Sequence, residues 1–312
     1  MSITHLDSDG RARMVDIGSK NETNRCAIAF GMIRVGSIAM EKLKSGTLSK
    51  GDAFSVSRIA GILAAKKTNE LIPLTHPIGL SYIQLHFAPI APDSVCVFSE
   101  AHAHDRTGVE MEAMTALSVA LLNLYDMVKG VTKGATIECS KLLFKSGGKS
   151  GTWLSQDVES GKVEKLAISK SKGTPKEPRD EAFLKPEFGL LDDAHAGNWH
   201  RQVSLLGLES ITTMKDKGLE VGFGSFAENI CTSGIKLYEL PIGTLIFSGD
   251  GCILEVTQIG KECHTKCAVY YKAGDCVMPR EGIFARVLSG GTIKTGDRII
   301  ALHRNVPELS GG

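Results

Sequence analysis

The sequence has no apolar run approaching the 18 or more residues of a membrane-spanning helix, and its polar stretch Met1 to Lys20 carries no signal-peptide core. A soluble, cytoplasmic protein is therefore expected. Net charge is scarce too. The 36 Lys plus Arg against 35 Asp plus Glu leave +1, too little for a chain built around nucleic acid or a membrane surface. Eight cysteines in 312 residues are too few for a disulfide scaffold, and a reducing compartment keeps them as thiols. The Asn21-Glu22-Thr23 sequon then has no meaning, since glycosylation requires secretion. Nor is there a P-loop. Gly148-Lys149-Ser150 lacks the first glycine of GxxxxGK[ST], and Leu143 stands in its place.

What remains is a chain that is 42% hydrophobic and 23% charged, enough to build a core and long enough for two ordinary domains. Its first part reads as mixed α+β. Cys26 to Ile33 reads as a buried strand, and Phe54 to Leu71 has helical spacing with Ile59, Ile62, Leu63 and Ala65 on one apolar face. Ser81 to Phe87 and Val95 to Ala103 read as paired strands, Gly108 to Lys129 as the longest helix, and Thr136 to Phe144 as a last strand. Residues 153–160 look like a linker. Beyond them, glycine turns separate short β-rich runs with one helix near Gly207 to Lys217, which predicts a barrel or folded sheet. The expected domains are thus 1–152 and 161–312.

Four constellations could carry chemistry. Asp126 and Lys129 are three apart and share a helix face, so each can tune the other's pKa. Glu110 and Glu112 flank Met111 on different faces of the same helix. Cations border turns at Lys20, Arg25, Lys50, Lys66 and Lys145, and the glycine-rich stretch 145–151 offers backbone N–H groups for phosphates. His76 precedes Pro77, while His102-Ala103-His104 puts two imidazoles on one strand face without an obvious third metal ligand. In the second half Cys263, His264, Cys267 and Cys276 fall within fourteen residues. The C-x₃-C-x₈-C spacing is not that of a common zinc finger; a structural metal site, a reactive or cofactor-binding thiol near Lys261, Lys266 and Arg280, and inert cysteines stay open, and no metal set is assigned.

Several motifs go further. Met14-Val15-Asp16, Lys50-Gly51-Asp52, Arg58-Ile59-Ala60-Gly61-Ile62, Thr75-His76-Pro77, Gly108-Val109-Glu110-Met111-Glu112, Tyr125-Asp126-Met127 and Lys145 through Gly151 occur in one order. Through them residues 3–152 resemble the cyclic pyranopterin monophosphate synthase family of molybdenum-cofactor biosynthesis, with Thr75 where that family usually has cysteine. The resemblance implies a ferredoxin-like α+β fold and a homo-oligomer, a hexamer with active sites at subunit interfaces. It also implies conversion of (8S)-3′,8-cyclo-7,8-dihydroguanosine 5′-triphosphate to cyclic pyranopterin monophosphate with loss of pyrophosphate. By the same resemblance Asp126 and Lys129 are the acid/base pair. Lys20, Arg25, Lys50, Lys66, His76, Glu110, Met111, Glu112 and Lys145 would bind the nucleotide. No cofactor is required there beyond a Mg²⁺ ion that the triphosphate can carry.

Residues 161–303 resemble a MOSC domain through Lys172 to Lys176, Asp193-Ala194-His195, His200 to Leu206, Gly224 to Ile230 and Gly260 through Arg286. That resemblance implies a mostly-β barrel that handles molybdenum cofactor or carries persulfide sulfur. Cys263 would be the thiol, Cys267 and Cys276 the reserves, and His195, Arg201 and Asn229 would line the groove. Molybdenum-ion or pyridoxal phosphate binding goes with the resemblance alone. A competing reading is a non-catalytic nucleotide-binding protein joined to a thiol metal or sulfur carrier.

Overall fold

A computed structural model describes residues 9–171, 174, 176–260 and 276–304. The chain divides into two compact units, Met1–Ser155 and Gln156–Gly312. The first runs β1 (Thr23–Arg34), α1 (Ser37–Ser45), α2 (Ala53–Ala65), α3 (Thr68–Leu71), β2 (Leu80–Ile90), β3 (Ser94–Asp105), α4 (Glu110–Val128), β4 (Thr136–Ser146) and β5 (Trp153–Leu154). Its antiparallel sheet has the order β2-β3-β1-β4-β5. With helices returning between β1 and β2 and between β3 and β4, this is the expected ferredoxin-like α+β arrangement.

Alternation along the central strands sends Ala27, Ala29, Val97 and Ala101 toward one core. There α4 presents Ala113, Ala116, Leu117, Ala120, Leu121 and Leu124, the three-and-four spacing of a helix face. On α2 the outcome differs from the expected face: Ile59 is 59% and Leu63 54% exposed. The buried side consists of Ala53, Ser57, Gly61, Ala64 and Ala65, with Ile62 packed against the core, so Ile62 and Ala65 of the expected face do turn inward. Close approach explains the choice, because a Cβ on Gly61 would lie 2.7 Å from the Ala116 carbonyl oxygen of α4. Small residues win the contact, and Ile59 and Leu63 turn outward.

The division between the two units falls inside residues 153–160, the expected linker, and part of that stretch is structured. Trp153–Leu154 extends the first sheet by pairing with β4, and β6 (Val158–Ile168) already belongs to the second unit. The edge of β4 offered unpaired backbone groups that β5 satisfies.

The second unit continues with β7 (Glu177–Arg179), β8 (Glu181–Lys185), β9 (Gly189–Leu190), β10 (Val203–Gly207), α5 (Leu208–Asp216), β11 (Ile230–Ser233), β12 (Leu245–Ser248) and β13 (Cys252–Ile259). It ends with the short helix α6 (Met278–Glu281), β14 (Ile283–Ser289), β15 (Gly291–Lys294) and β16 (Arg298–Leu302). Strands β11-β10-β14-β13-β12-β16-β6 follow one another, and β6 pairs back to β11. The result is a closed seven-stranded barrel, the expected β architecture, which removes sheet edges. Its interior is filled by residues such as Val163, Leu205, Ile230, Leu254, Ala285 and Ile299.

Candidate functional site

At the C-terminal end of α4, Asp126 and Lys129 come together as the three-residue spacing requires, 2.6 Å apart. Lys50 closes the group from the other side, 2.5 Å from the second Asp126 oxygen and 2.9 Å from the Asp126 carbonyl. The local sequence explains its arrival. Asp52 caps α2 by accepting the Ser55 amide at 3.1 Å, and Gly51 turns the chain with φ near +86°. Lys50, just before that turn, thereby reaches α4. Hydrogen bonds from Lys129 and then Lys50 pull the Asp126 carboxyl down to about 2. Asp126 in turn raises the Lys129 ammonium above its ordinary value. The resting group is a carboxylate held between two lysine side chains.

A second group gathers at the other end of α4. Glu112 is 3% exposed, and its Oε2 has no hydrogen-bond partner among the described residues. Burial, with the nearby charges of Glu110 and Asp105, raises its carboxyl to about 7. Lys145 ends 4.0 Å from Glu110 and also donates to the Ser150 hydroxyl. Arg25 donates to the Asp105 carbonyl at 3.1 Å. The turn after β4 is glycine for a visible reason. Gly147 and Gly148 have φ near +98° and +71°, and a Cβ on Gly148 would strike the Arg25 guanidinium. Met111 is 40% exposed beside these carboxylates on the first turn of the helix.

The sixteen residue steps from Glu110 to Asp126 span about 24 Å of helix, so the expected nucleotide site is split within one chain. No hydrogen bond or ion pair among the described residues ties Lys20, Lys66 or His76 to either group. Lys20 is exposed before β1, Lys66 caps the end of α2, and His76 is half-buried between α3 and β2.

In the second unit, Asn229 is buried and donates to the Asp193 carboxylate at 3.0 Å and the Ala167 carbonyl at 3.1 Å. His195 is half-buried; its Nδ1 lies 3.3 Å from Asp193, whose Oδ1 also accepts the His195 amide at 2.8 Å. The centre of this network is a residue that spacing did not single out. Lys176, buried to 4% exposure, sits 2.5 Å from Asp193. Burial lowers the Lys176 ammonium. Burial also pushes the Asp193 carboxyl upward, but Lys176 and the His195 amide outweigh it and hold that carboxyl low. Glu228 is likewise buried and accepts the Gly224 and Phe226 amides, the second at 3.0 Å. The available signal was the pair of motifs Lys172 to Lys176 and Asp193-Ala194-His195, which hold both partners.

Arg201 does not join that network. Its guanidinium lies 4.8 Å from the Trp199 ring and 5.6 Å from Phe284, and its Nε is buried without a partner among the described residues. Trp199 leads to a cleft of about 450 Å³, lined also by His200, Glu255, Thr257 and Arg286. His195, Arg201, Asn229 and Cys276 are not among the residues that line this cleft. Cys276 is buried at 8% and packs among Leu206, Phe226 and Met278. Cys263 and Cys267 lie outside the described residues. Burial raises the remaining thiols Cys231 and Cys252 to about 12, which makes them poor nucleophiles.

Residues 14–148 match the model of the MoaC family and residues 192–300 that of the MOSC domain. A protein of Novosphingobium aromaticivorans named cyclic pyranopterin monophosphate synthase is 53% identical over 151 residues, 48% of this chain and 96% of that protein. Proteins of the same name from Geobacter sulfurreducens and Thermomicrobium roseum are 49% and 46% identical, covering 49% and 50% of this chain and 96% and 95% of theirs. Among solved structures, the YUAD protein from Bacillus subtilis is similar at a TM-score of 0.41 and 20% identity, over 47% of this chain and 98% of that one.

Proposed function

Since the chain belongs, through its N-terminal unit, to the MoaC family of cyclic pyranopterin monophosphate synthases, we propose that two copies of it complete each active site. The protein is a lyase of molybdenum-cofactor biosynthesis. In this reading it converts (8S)-3′,8-cyclo-7,8-dihydroguanosine 5′-triphosphate to cyclic pyranopterin monophosphate and pyrophosphate. The observation that carries the chemistry is the Lys50–Asp126–Lys129 group. Closing a cyclic phosphate expels pyrophosphate, whose developing charge needs cations, and rearranging the base needs proton transfers. Asp126, with its carboxyl near 2, cannot serve as the acid at neutral pH. The Lys129 ammonium is the proton donor, and Asp126 orients it and takes up charge. Glu112 and Glu110 accept the N–H edge of the guanine-derived ring, while Arg25, Lys145, Lys20, Lys66 and His76 bind phosphate. A Mg²⁺ ion would arrive on the triphosphate as part of the substrate.

Splitting of the groups by about 24 Å favours a site shared between subunits. So does the surface of α2, where Val56, Ile59 and Leu63 recur on one helix face and are 42%, 59% and 54% exposed. Such a stripe suits burial against another copy. The test is pyrophosphate release from the cyclic dihydro-GTP substrate. Lys129→Ala should lose roughly 10²- to 10⁴-fold. Mixing two inactive variants, Lys129→Ala and Glu112→Gln, should restore about a quarter of the activity if a dimer shares its sites. No restoration refutes sharing; an unaltered Lys129→Ala enzyme refutes the acid assignment.

For the second unit the proposal is molybdenum-cofactor or sulfur handling in the cytoplasm. Among the described residues, no helix is long and apolar enough to cross a membrane. Arg201, with its unpartnered Nε and its contact with Trp199, suits the phosphate and ring of a phosphorylated pterin. Cys263 is the proposed sulfur carrier. Cyanide-labile sulfur on the protein after exposure to a sulfur donor should vanish in Cys263→Ser and persist in Cys252→Ser.

A further inference from the structure

We propose that Cys26, Glu100 and His102 form a zinc site on the central strands of the N-terminal sheet, separate from both charged groups of α4. The ladder between β1 and β3 is continuous from Thr23↔Asp105 to Arg34↔Ser94 and sets Cys26 directly opposite His102. Glu100 is two residues from His102 on β3 and so shares its face. Ala27, Ala101 and Ala103, one residue out of step, point into the helix-packed core. The three donors therefore stand together on the sheet face that the helices do not use.

Their ligand atoms all lie within 4.8 Å of one another. His102 Nε2 is 2.7 Å from Glu100 Oε1, and the Cys26 sulfur is 3.9 Å from the same oxygen. Tetrahedral zinc holds sulfur near 2.3 Å and nitrogen or oxygen near 2.0–2.2 Å, so its ligands stand about 3.3–3.7 Å apart. Cys26 and Glu100 are already close to that spacing. His102 must withdraw from Glu100 by less than about 1 Å, and its side chain, 40% exposed, is free to do so on its solvent side. Zinc replaces the protons that now bridge the three groups.

The donor set selects the metal. One thiolate, one imidazole and one carboxylate match zinc and its borderline neighbours and not Mg²⁺ or Ca²⁺, which take oxygen ligands. Neighbouring side chains hold the geometry. The Tyr82 ring packs edge-on against His102 at 5.1 Å, and the Tyr82 hydroxyl donates to Gln84 at 2.7 Å. His104, the other imidazole on this face, is occupied with Asn24 at 2.9 Å. Three protein ligands leave a fourth position for water or a small anion. Cys26 adjoins Arg25, and Ala27 pairs with Lys145 in β4, so metal binding would stiffen the strand that supplies the phosphate-binding residues.

The experiment uses the full chain. Cys263→Ser/Cys267→Ser serves as background, so that thiols of the second unit do not contribute. The protein is stripped with a chelator, dialysed against Zn²⁺ with Mg²⁺ present, and its zinc measured; Co²⁺ is then the optical probe. The background protein should retain one zinc per chain and give a thiolate-to-cobalt charge-transfer band. Cys26→Ser and His102→Gln should each abolish both, and Glu100→Gln should weaken zinc binding about tenfold or more. Circular dichroism of the metal-free proteins identifies variants that fold. The proposal is overturned if the background chain holds no zinc, or if a folded Cys26→Ser or His102→Gln chain binds it unchanged. Because the readout is metal content, it succeeds or fails independently of the synthase assignment.

Discussion

Replacing Glu112 by Gln removes one ionisation from the first turn of α4 while keeping the side chain's shape. Burial lifts the Glu112 carboxyl from 4.5 to about 7, so the folded chain holds a proton there over a range in which the unfolded chain has lost it. The sign follows from linkage. Stability associated with this group is fully present below about 4.5, falls as pH rises toward 7, and is level above that. Across that window each pH unit removes about 1.4 kcal/mol at most. Because Glu112 lies in the first helical turn, where free backbone amides favour the charged form, an effect of about 2 kcal/mol is expected rather than the full amount. Urea midpoints of the wild-type and Glu112→Gln chains, taken from pH 5 to pH 8.5, isolate this ionisation in their difference. At pH 5 the folded carboxyl is neutral while the unfolded one is already largely ionised, so the offset there combines the amide with roughly 0.8 kcal/mol of the linkage. By pH 8.5 the Gln chain should have gained about 2 kcal/mol on the wild type. A difference that stays constant across the range would mean that Glu112 titrates normally, and burial would then not govern its proton.

Three other perturbations have defined outcomes. Lys176→Met strands the Asp193 carboxylate, 2% exposed, in the barrel unit; a loss of about 3 kcal/mol is expected by calorimetry, with much of it recovered in Lys176→Met/Asp193→Asn. A Cβ at position 148 forces the Arg25 guanidinium aside at a left-handed backbone position. Gly148→Ala should therefore raise KM for the triphosphate substrate at least about fivefold with a smaller change in kcat. Val56→Asp/Ile59→Asp places charge on the exposed apolar stripe of α2, and light scattering should report a smaller particle whose pyrophosphate release falls with its mass. An unchanged mass would remove α2 from the interface.

Much of this protein was legible along the chain because the relevant information is local. Alternation in Ser81 to Phe87, the helical spacing of Gly108 to Lys129 and the regular glycine turns of the second half are short-range patterns, and they were realised as β2, α4 and the barrel strands. Asp126 and Lys129 met because a helix fixes the distance between residues three apart. Tertiary structure decided whatever depended on partners distant in sequence. It turned Ile59 and Leu63 outward because α4 approaches Gly61 too closely for bulk. It drew residues 153–154 into the first sheet, because the edge of β4 had hydrogen bonds to fill. It parted the two charged groups by the length of α4, buried Lys176 with Asp193, and set Cys26 opposite His102 across a ladder 76 residues apart in sequence. Sequence spacing alone carries no record of strand register, and register is what brings those three ligands within reach of one ion.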